Sequence, residues 1–95
     1  MSELKLGIIG GGQLGSMLSS AAKKLNIKSV VYSDDKDAPA QKFCDEFIFG
    51  DYNNKEKILE LVNKVDVITY EFENIPFETL NEINKLKPVL PKPSV

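Results

Sequence analysis

A glycine-rich turn near the start of the chain constrains the fold more than any other feature. An apolar stretch at residues 4–9 ends in the sequence GGG at residues 10–12 and passes directly into a helical pattern. Gly10, Gly12 and Gly15 fit G-x-G-x-x-G, whose glycines serve a tight turn, the approach of a phosphate and close helix–strand packing. Backbone N–H groups at the start of a helix face such an anion. The turn therefore predicts an anion-binding junction between a buried strand and a helix.

The rest of the chain continues this alternation of strand and helix. Short apolar runs predict strands, and apolar residues at helical spacing predict helices. The predicted strands are at residues 4–9, 29–33, 47–49, 67–70 and 89–90, and the predicted helices are at 14–25, at 39–43, after Asn53 or Asn54, and after Pro76. This order implies right-handed crossovers and an α/β domain of three layers, with a five-stranded parallel sheet between helices.

The first helix is predicted to pack on the sheet through one apolar face. Asn26 follows it, at a position where a left-handed helix cap is expected and where asparagine is tolerated. The predicted apolar face consists of Leu14, Met17, Leu18, Ala21, Ala22 and Leu25.

The glycine turn and the segment after the fourth strand are predicted to form one site. In such sheets the first and fourth strands commonly lie side by side, and ligands bind at their carboxyl ends. Glu71 and Glu73 are two residues apart and would face the same way on an extended segment. Ionised carboxylates accept hydrogen bonds from sugar hydroxyls and repel phosphate, whereas a helix N-terminus attracts phosphate. The two segments together predict a receptor for a ribose phosphate.

Nine residues make up this predicted site. The phosphate is assigned to the turn and the ribose hydroxyls to Glu73, although Glu71 and Glu73 can also be explained as solvated charges or as caps of the helix near Pro76. The predicted binding residues are Gly11, Gly12, Gln13, Leu14 and Glu73, and the supporting residues are Gly10, Gly15, Tyr70 and Glu71.

A dinucleotide site is the main alternative. Asp34 follows the second strand about 20 residues beyond the glycines, where an acidic residue holds the adenosine ribose in NAD-binding domains. Turn formation is the simpler explanation of Asp34, Asp35 and Asp37. Glu71 and Glu73 also oppose this alternative, because they would place negative charge beside a dianionic ligand.

Composition removes several other classes of function. The chain of 95 residues has no histidine, one cysteine and a net charge of −2, and all twelve of its basic residues are lysine. These counts leave no zinc-ligand set and no internal disulfide, and the charge gives no reason to expect a nucleic acid or a membrane as partner. No metal site is expected within the chain. The N-terminus matches neither a secretory signal nor a spanning helix, so a cytoplasmic location is expected.

Three motifs resemble one enzyme family. The sequence GIIGGGQLG at residues 7–15, the sequences DAPA at 37–40 and DE at 45–46, and TYEFENI at 69–75 are similar to the N-terminal domain of N5-carboxyaminoimidazole ribonucleotide synthetase. The resemblance covers the whole chain and implies a Rossmann-like pre-ATP-grasp domain at residues 1–90, followed at 91–95 by the start of a linker to ATP-grasp domains.

The resemblance also implies a function in purine biosynthesis. Enzymes of this family use ATP and magnesium to join bicarbonate to 5-aminoimidazole ribonucleotide, and they often dimerise. In related enzymes the glycine turn and the residue matching Glu73 hold the ribonucleotide, whereas ATP and magnesium bind in later domains. The resemblance therefore implies that this chain, taken by itself, binds the substrate weakly and contains no catalytic residue. A nucleotide-binding module without a reaction of its own remains a further alternative.

One position departs from the family pattern. Ser16 stands where the family usually has arginine, so a contact made by that arginine would be missing or would be made by Ser16 or Lys23.

Overall fold

Parallel strands form one sheet in the computed structural model, which describes residues 4–70, 77–87 and 89–90. The strands are β1 (Lys5–Ile9), β2 (Lys28–Ser33), β3 (Glu46–Phe49), β4 (Val67–Tyr70) and β5 (Val89–Leu90). Their order across the sheet is β3-β2-β1-β4-β5, and every pairing is parallel. The predicted α/β class with a parallel sheet is confirmed. β1 to β4, of four to six residues each, make up most of the sheet. The predicted fifth strand, β5, consists of two residues at the edge of the sheet.

Helical segments connect the strands of the described chain. They are α1 (Gln13–Lys24), a 3₁₀ helix (Pro39–Lys42), α2 (Lys55–Lys64) and α3 (Phe77–Asn84). The Asn54 side chain accepts a hydrogen bond from the Lys57 N–H at 3.2 Å, which makes Asn54 the predicted cap of α2. Asn26 has a φ of 59° and ends α1 in the left-handed conformation that the sequence predicts.

The helices cover the two faces of the sheet unequally. Residues from α2 and α3, including Leu61 and Ile83, pack with Ile9, Tyr32 and Ile68 in the larger buried cluster. On the other face, Ile8, Val31 and Ala40 form a smaller cluster with partly buried residues that include Leu18 of α1. The glycine turn lies at the start of α1, so the packing of this smaller face helps to position it.

The predicted apolar face of α1 is wrong in part. Met17 and Leu25 have 62% and 70% of their surface exposed, and Ala21 is also exposed. The buried positions of α1 are instead small residues at helical spacing: Gly15, Ser19 and Ala22. Small side chains allow the helix axis to lie close to the sheet, and this rotates the larger residues outward.

Leu61 provides a test of the larger cluster. Its side chain is fully buried, whereas Leu59 on the same helix is 45% exposed. We expect Leu61→Ala to lower the free energy of unfolding by about 2–5 kcal/mol, because the substitution removes buried methyl groups and leaves a cavity. Urea unfolding measures this loss. The matched variant Leu59→Ala should cost under about 1 kcal/mol, and equal losses in the two variants would contradict the described packing.

Candidate functional site

The glycine turn lies at the carboxyl edge of the sheet, where the direction of strand order reverses. β1 is the central strand, and its last residue, Ile9, pairs with Tyr32 of β2 on one side and with Tyr70 of β4 on the other. The chain runs from β1 outward to β2 and β3, then returns to β4 and β5. Loops after β1 and β4 therefore leave the same edge at a topological switch point, which is where open α/β sheets bind ligands.

Gly10 makes the turn out of β1. Its φ of 109° lies in the region that residues with a Cβ rarely adopt. Its N–H donates a hydrogen bond of 2.7 Å to the carbonyl of Tyr32 and so holds the turn to the end of β2. The predicted role of the first glycine as the residue of a tight turn is confirmed.

Gly11 packs against residues that the sequence interpretation did not include in the site. A Cβ placed on Gly11 would lie 2.5 Å from the Ala38 Cβ and 3.0 Å from the Ser33 Cβ. The Gly11 carbonyl also accepts a 2.9 Å hydrogen bond from the Ala40 N–H. The DAPA sequence was the signal for this contact, but the sequence alone indicated only a short helix with Pro39 in its first turn.

The start of α1 has the features expected of an anion-binding turn. Gly12 is the N-cap, and the first turn of α1 contains no acidic residue. The Ser16 N–H and hydroxyl both donate to the Gly12 carbonyl, at 2.9 Å and 3.1 Å. The positive end of the helix dipole at Gln13 therefore has no neighbouring carboxylate from its own first turn to repel an anion. Gly15 is buried, as its predicted role in close packing requires.

The departure at Ser16 is resolved in part. The Ser16 hydroxyl is used within the turn, through its bond to the Gly12 carbonyl. Lys23 lies in the last turn of α1, next to a depression lined by Asn26 and Lys28. Lys23 is therefore at the opposite end of the helix from the glycine turn.

The carboxylate half of the predicted site falls mostly outside the described residues. Tyr70, at the end of β4, is buried and lies level with Ile9 in the sheet. Glu71 and Glu73 belong to residues 71–76, which the structure does not describe, and the side chain of Leu14 is likewise outside the description. Their predicted roles stay predictions.

The acidic residues after β2 form a turn. The Asp35 N–H donates to the Ser33 hydroxyl at 3.1 Å, and the Asp35 carboxylate accepts from the Asp37 N–H at 2.9 Å. The Asp35 carbonyl accepts from the Ala38 N–H. This network agrees with the turn interpretation of the acidic run, and Asp34 is exposed at its start.

Two side chains have clear pKa shifts of interest. Burial, reinforced by the nearby charge of Asp51, raises the pKa of Tyr32 to about 12. The Tyr32 hydroxyl donates to the Asp51 carbonyl, so it stays protonated and anchors the loop after β3. Burial also raises the pKa of Cys44, which keeps it a thiol.

Other features of the described residues lie apart from the turn. A groove of about 460 Å³ runs between α2 and α3 and is lined by residues such as Ile58, Leu59 and Ile83, but by none from the glycine turn. Among residues 4–70, 77–87 and 89–90, no group of three or more acidic or cysteine side chains could hold a metal ion. No helix in these residues is long and apolar enough to cross a membrane.

The geometry defines a class: a parallel α/β domain whose first strand-to-helix turn suits an anionic group. A family model described as "Ribonucleotide synthetase preATP-grasp domain" matches residues 3–95. The chain belongs to this family. The resemblance identified from the glycine and TYEFENI motifs is therefore confirmed.

Known proteins support the same assignment. N5-carboxyaminoimidazole ribonucleotide synthase of Staphylococcus epidermidis is 41% identical over 81 residues, which cover 85% of this chain and 22% of the relative. The crystal structure of N5-carboxyaminoimidazole synthetase from Staphylococcus aureus has a TM-score of 0.86 at 38% identity, covering 93% of this chain and 24% of that one.

A third similar protein was crystallised with ligands. The synthase of Aspergillus clavatus, in complex with ADP and 5-aminoimidazole ribonucleotide, has a TM-score of 0.77 at 31% identity, covering 92% of this chain and 23% of that one. The chain thus spans about a fifth to a quarter of the length of the relatives that it matches.

Replacing Tyr32 by Phe tests the buried hydroxyl. Because its folded-state pKa of about 12 lies above the usual 10.0, the neutral hydroxyl stabilises the fold below pH 10, and this contribution is lost as the pH rises from 10 toward 12. We expect Tyr32→Phe to cost about 1 kcal/mol at neutral pH and to flatten the loss of stability in the alkaline range. Urea unfolding across that range measures both effects. Parallel curves for the two proteins above pH 10 would contradict the shift.

Proposed function

We propose that the chain is the substrate-binding N-terminal domain of an ATP-dependent ligase. The reaction of the whole protein is the carboxylation of 5-aminoimidazole ribonucleotide with bicarbonate to give N5-carboxyaminoimidazole ribonucleotide, in purine biosynthesis. Membership in the ribonucleotide synthetase preATP-grasp family supports this proposal. So do relatives that carry the name of the enzyme and one that was crystallised with the ribonucleotide.

The observation that carries the proposal is the geometry of the turn between β1 and α1. Gly10 adopts the left-handed conformation, and α1 begins without an acidic residue in its first turn. In the proposed complex the substrate phosphate lies at Gly11, Gly12, Gln13 and Leu14, where the helix dipole and backbone N–H groups attract it.

The second half of the proposed site follows β4. Glu73 accepts hydrogen bonds from the ribose hydroxyls, because an ionised carboxylate is an acceptor that hydroxyl groups can satisfy. Tyr70 and Glu71 support this segment from the end of the strand, and Gly10 and Gly15 support the turn. A mononucleotide bound across the switch point would touch both segments.

The remaining parts of the reaction are assigned outside this chain. Residues 1–90 form the substrate-binding domain, and residues 91–95 lead toward the ATP-grasp domains that hold ATP and magnesium. The 95 residues alone are expected to bind the ribonucleotide weakly and to catalyse nothing. We place the whole enzyme in the cytoplasm as a homodimer. The relatives support this ligase and not an NAD-dependent oxidoreductase.

A thermal-shift titration tests ligand class. A ligand that binds only the folded state at ten times its Kd stabilises that state by about 1.4 kcal/mol, which raises the Tm of a domain of this size by roughly 5–10 °C. We expect 5-aminoimidazole ribonucleotide to raise the Tm of the chain and NAD at equal concentration to leave it unchanged. A rise with NAD alone would support the dinucleotide alternative. No rise with either ligand would favour a module with another partner.

The same measurement on a pair of variants tests Glu73. Glu73→Ala should reduce the shift caused by the ribonucleotide, because the ribose hydroxyls lose their acceptor. Glu78→Ala removes an exposed carboxylate from the first turn of α3 and is the matched control. Equal shifts in the two variants would remove Glu73 from the proposed site.

A further inference from the structure

The segment after β2 closes one side of the glycine turn. Ala38 and Ala40 are buried, at 4% and 0% exposure. Ala38 packs beside Gly11, and the Ala40 N–H donates a hydrogen bond to the Gly11 carbonyl. The Ala38 methyl group occupies the space into which a side chain at position 11 would extend, with 2.5 Å between the two Cβ positions. Ser33, also buried, contributes the other close contact at 3.0 Å. The turn therefore lies against protein atoms on its β2 side.

This side is where a dinucleotide fold places its adenosine ribose. An acidic residue at the end of the second strand holds that ribose next to the glycine turn. Here Asp34 occupies the sequence position but is exposed. The next residues turn back through the Asp35 hydrogen bonds and bring Ala38 onto Gly11. The side chains of Ala38 and Ser33 thus occupy the space beside Gly11 at the end of β2.

The same segment fixes the orientation of the peptide group that joins Gly11 and Gly12. The Ala40 N–H holds the Gly11 carbonyl at 2.9 Å. In a trans peptide the carbonyl and the following N–H point in opposite directions. The Gly11 carbonyl, which would repel an anion, is therefore turned toward Ala40, and the N–H of the same peptide is directed away from it.

We propose that Ala38 and Ala40 are positioning residues that determine ligand specificity at the glycine turn. They close the β2 side of Gly11 and hold its carbonyl there, which directs a ligand at the turn toward the β4 side. Such a site accepts a ribonucleotide monophosphate and excludes the adenosine half of a dinucleotide. This inference rests on the proposed function and adds the reason why the turn accepts one nucleotide class.

A rescue experiment tests the contact. Gly11→Ala adds a methyl group 2.5 Å from the Ala38 Cβ, and relief of this overpacking shifts the Gly11 peptide group that faces the proposed ligand. We expect this shift to raise the Kd for the ribonucleotide about tenfold. Ala38→Gly in the Gly11→Ala background removes the closest atom and should recover at least about threefold of that loss. Recovery is partial because Ser33 remains 3.0 Å away. Titration calorimetry of the chain with 5-aminoimidazole ribonucleotide measures each Kd, and NAD should bind the wild type at least about tenfold more weakly.

Gly7→Ala is the matched control. It also overpacks a buried glycine, with a new Cβ 3.0 Å from Val65 Cγ2 on the α2 side of the sheet. It should lower the Tm while leaving the Kd for the ribonucleotide within about twofold of the wild type. A purely structural role for Gly11 predicts instead that both glycine variants change stability and affinity in parallel.

The outcomes separate this inference from the proposed function. If the wild type binds the ribonucleotide and Gly11→Ala binds it equally well, or if Ala38→Gly gives no rescue, the inference is wrong and the function stands. Tight binding of NAD overturns both. If the wild type binds neither ligand, the proposed function fails. Hydrogen exchange then decides whether the contact exists: the Ala40 amide should be protected in the wild type and exposed in Gly11→Ala, and equal protection overturns the inference.

Discussion

The hydrogen bond from the Gly10 N–H to the Tyr32 carbonyl is the interaction on which the candidate site depends. It requires a φ of 109° at Gly10, which only glycine adopts readily. With this bond in place the chain leaves β1, stays attached to the end of β2 and begins α1 within three residues. The direction of α1, and hence of its positive end, follows from this short connection.

The glycine turn is stabilised from two sides of the sheet. Tyr32, whose carbonyl holds Gly10, is buried in the larger cluster and donates its hydroxyl to the Asp51 carbonyl. Ala40, which holds the Gly11 carbonyl, belongs to the smaller cluster on the opposite face. Each backbone group that orients the turn is thus tied to a hydrophobic core. The glycine turn is therefore preorganised by packing, which would reduce the conformational entropy that a ligand loses in ordering it.

Local sequence patterns predicted most of the fold, because the apolar runs and helix caps that define each element lie within a few residues of one another. Alternating apolar runs located the strands, and Asn26 and Asn54 marked helix boundaries through their own side chains or backbone. The face of α1 was predicted wrongly because hydrophobicity favours Met17 and Leu25, whereas the close approach of helix and sheet selects Gly15 and other small residues. Which face of α1 is buried depends on the distance between the helix and the sheet, and the periodicity of apolar residues in the sequence gives no information on that distance.

The candidate site could be compared with the structure only at the glycine turn and at Tyr70. The glycine turn was recognised from the spacing of its glycines, and the motifs identified the family, whereas the ligand remains a proposal. The contact of Ala38 and Ala40 with Gly11 was missed, since it joins segments about 30 residues apart in sequence and uses residues with no reactive group. Glu73 remains assigned from the resemblance and from its spacing to Glu71.

The central claim is that a ribonucleotide binds at the turn between β1 and α1, and its location can be measured directly. Amide chemical shifts of the ¹⁵N-labelled chain, recorded by NMR during a titration with 5-aminoimidazole ribonucleotide, map the residues that respond. Binding at this turn predicts that the largest changes occur at residues 10–16 and 70–74. Changes confined to the groove between α2 and α3, lined by Ile58 and Ile83, would contradict it.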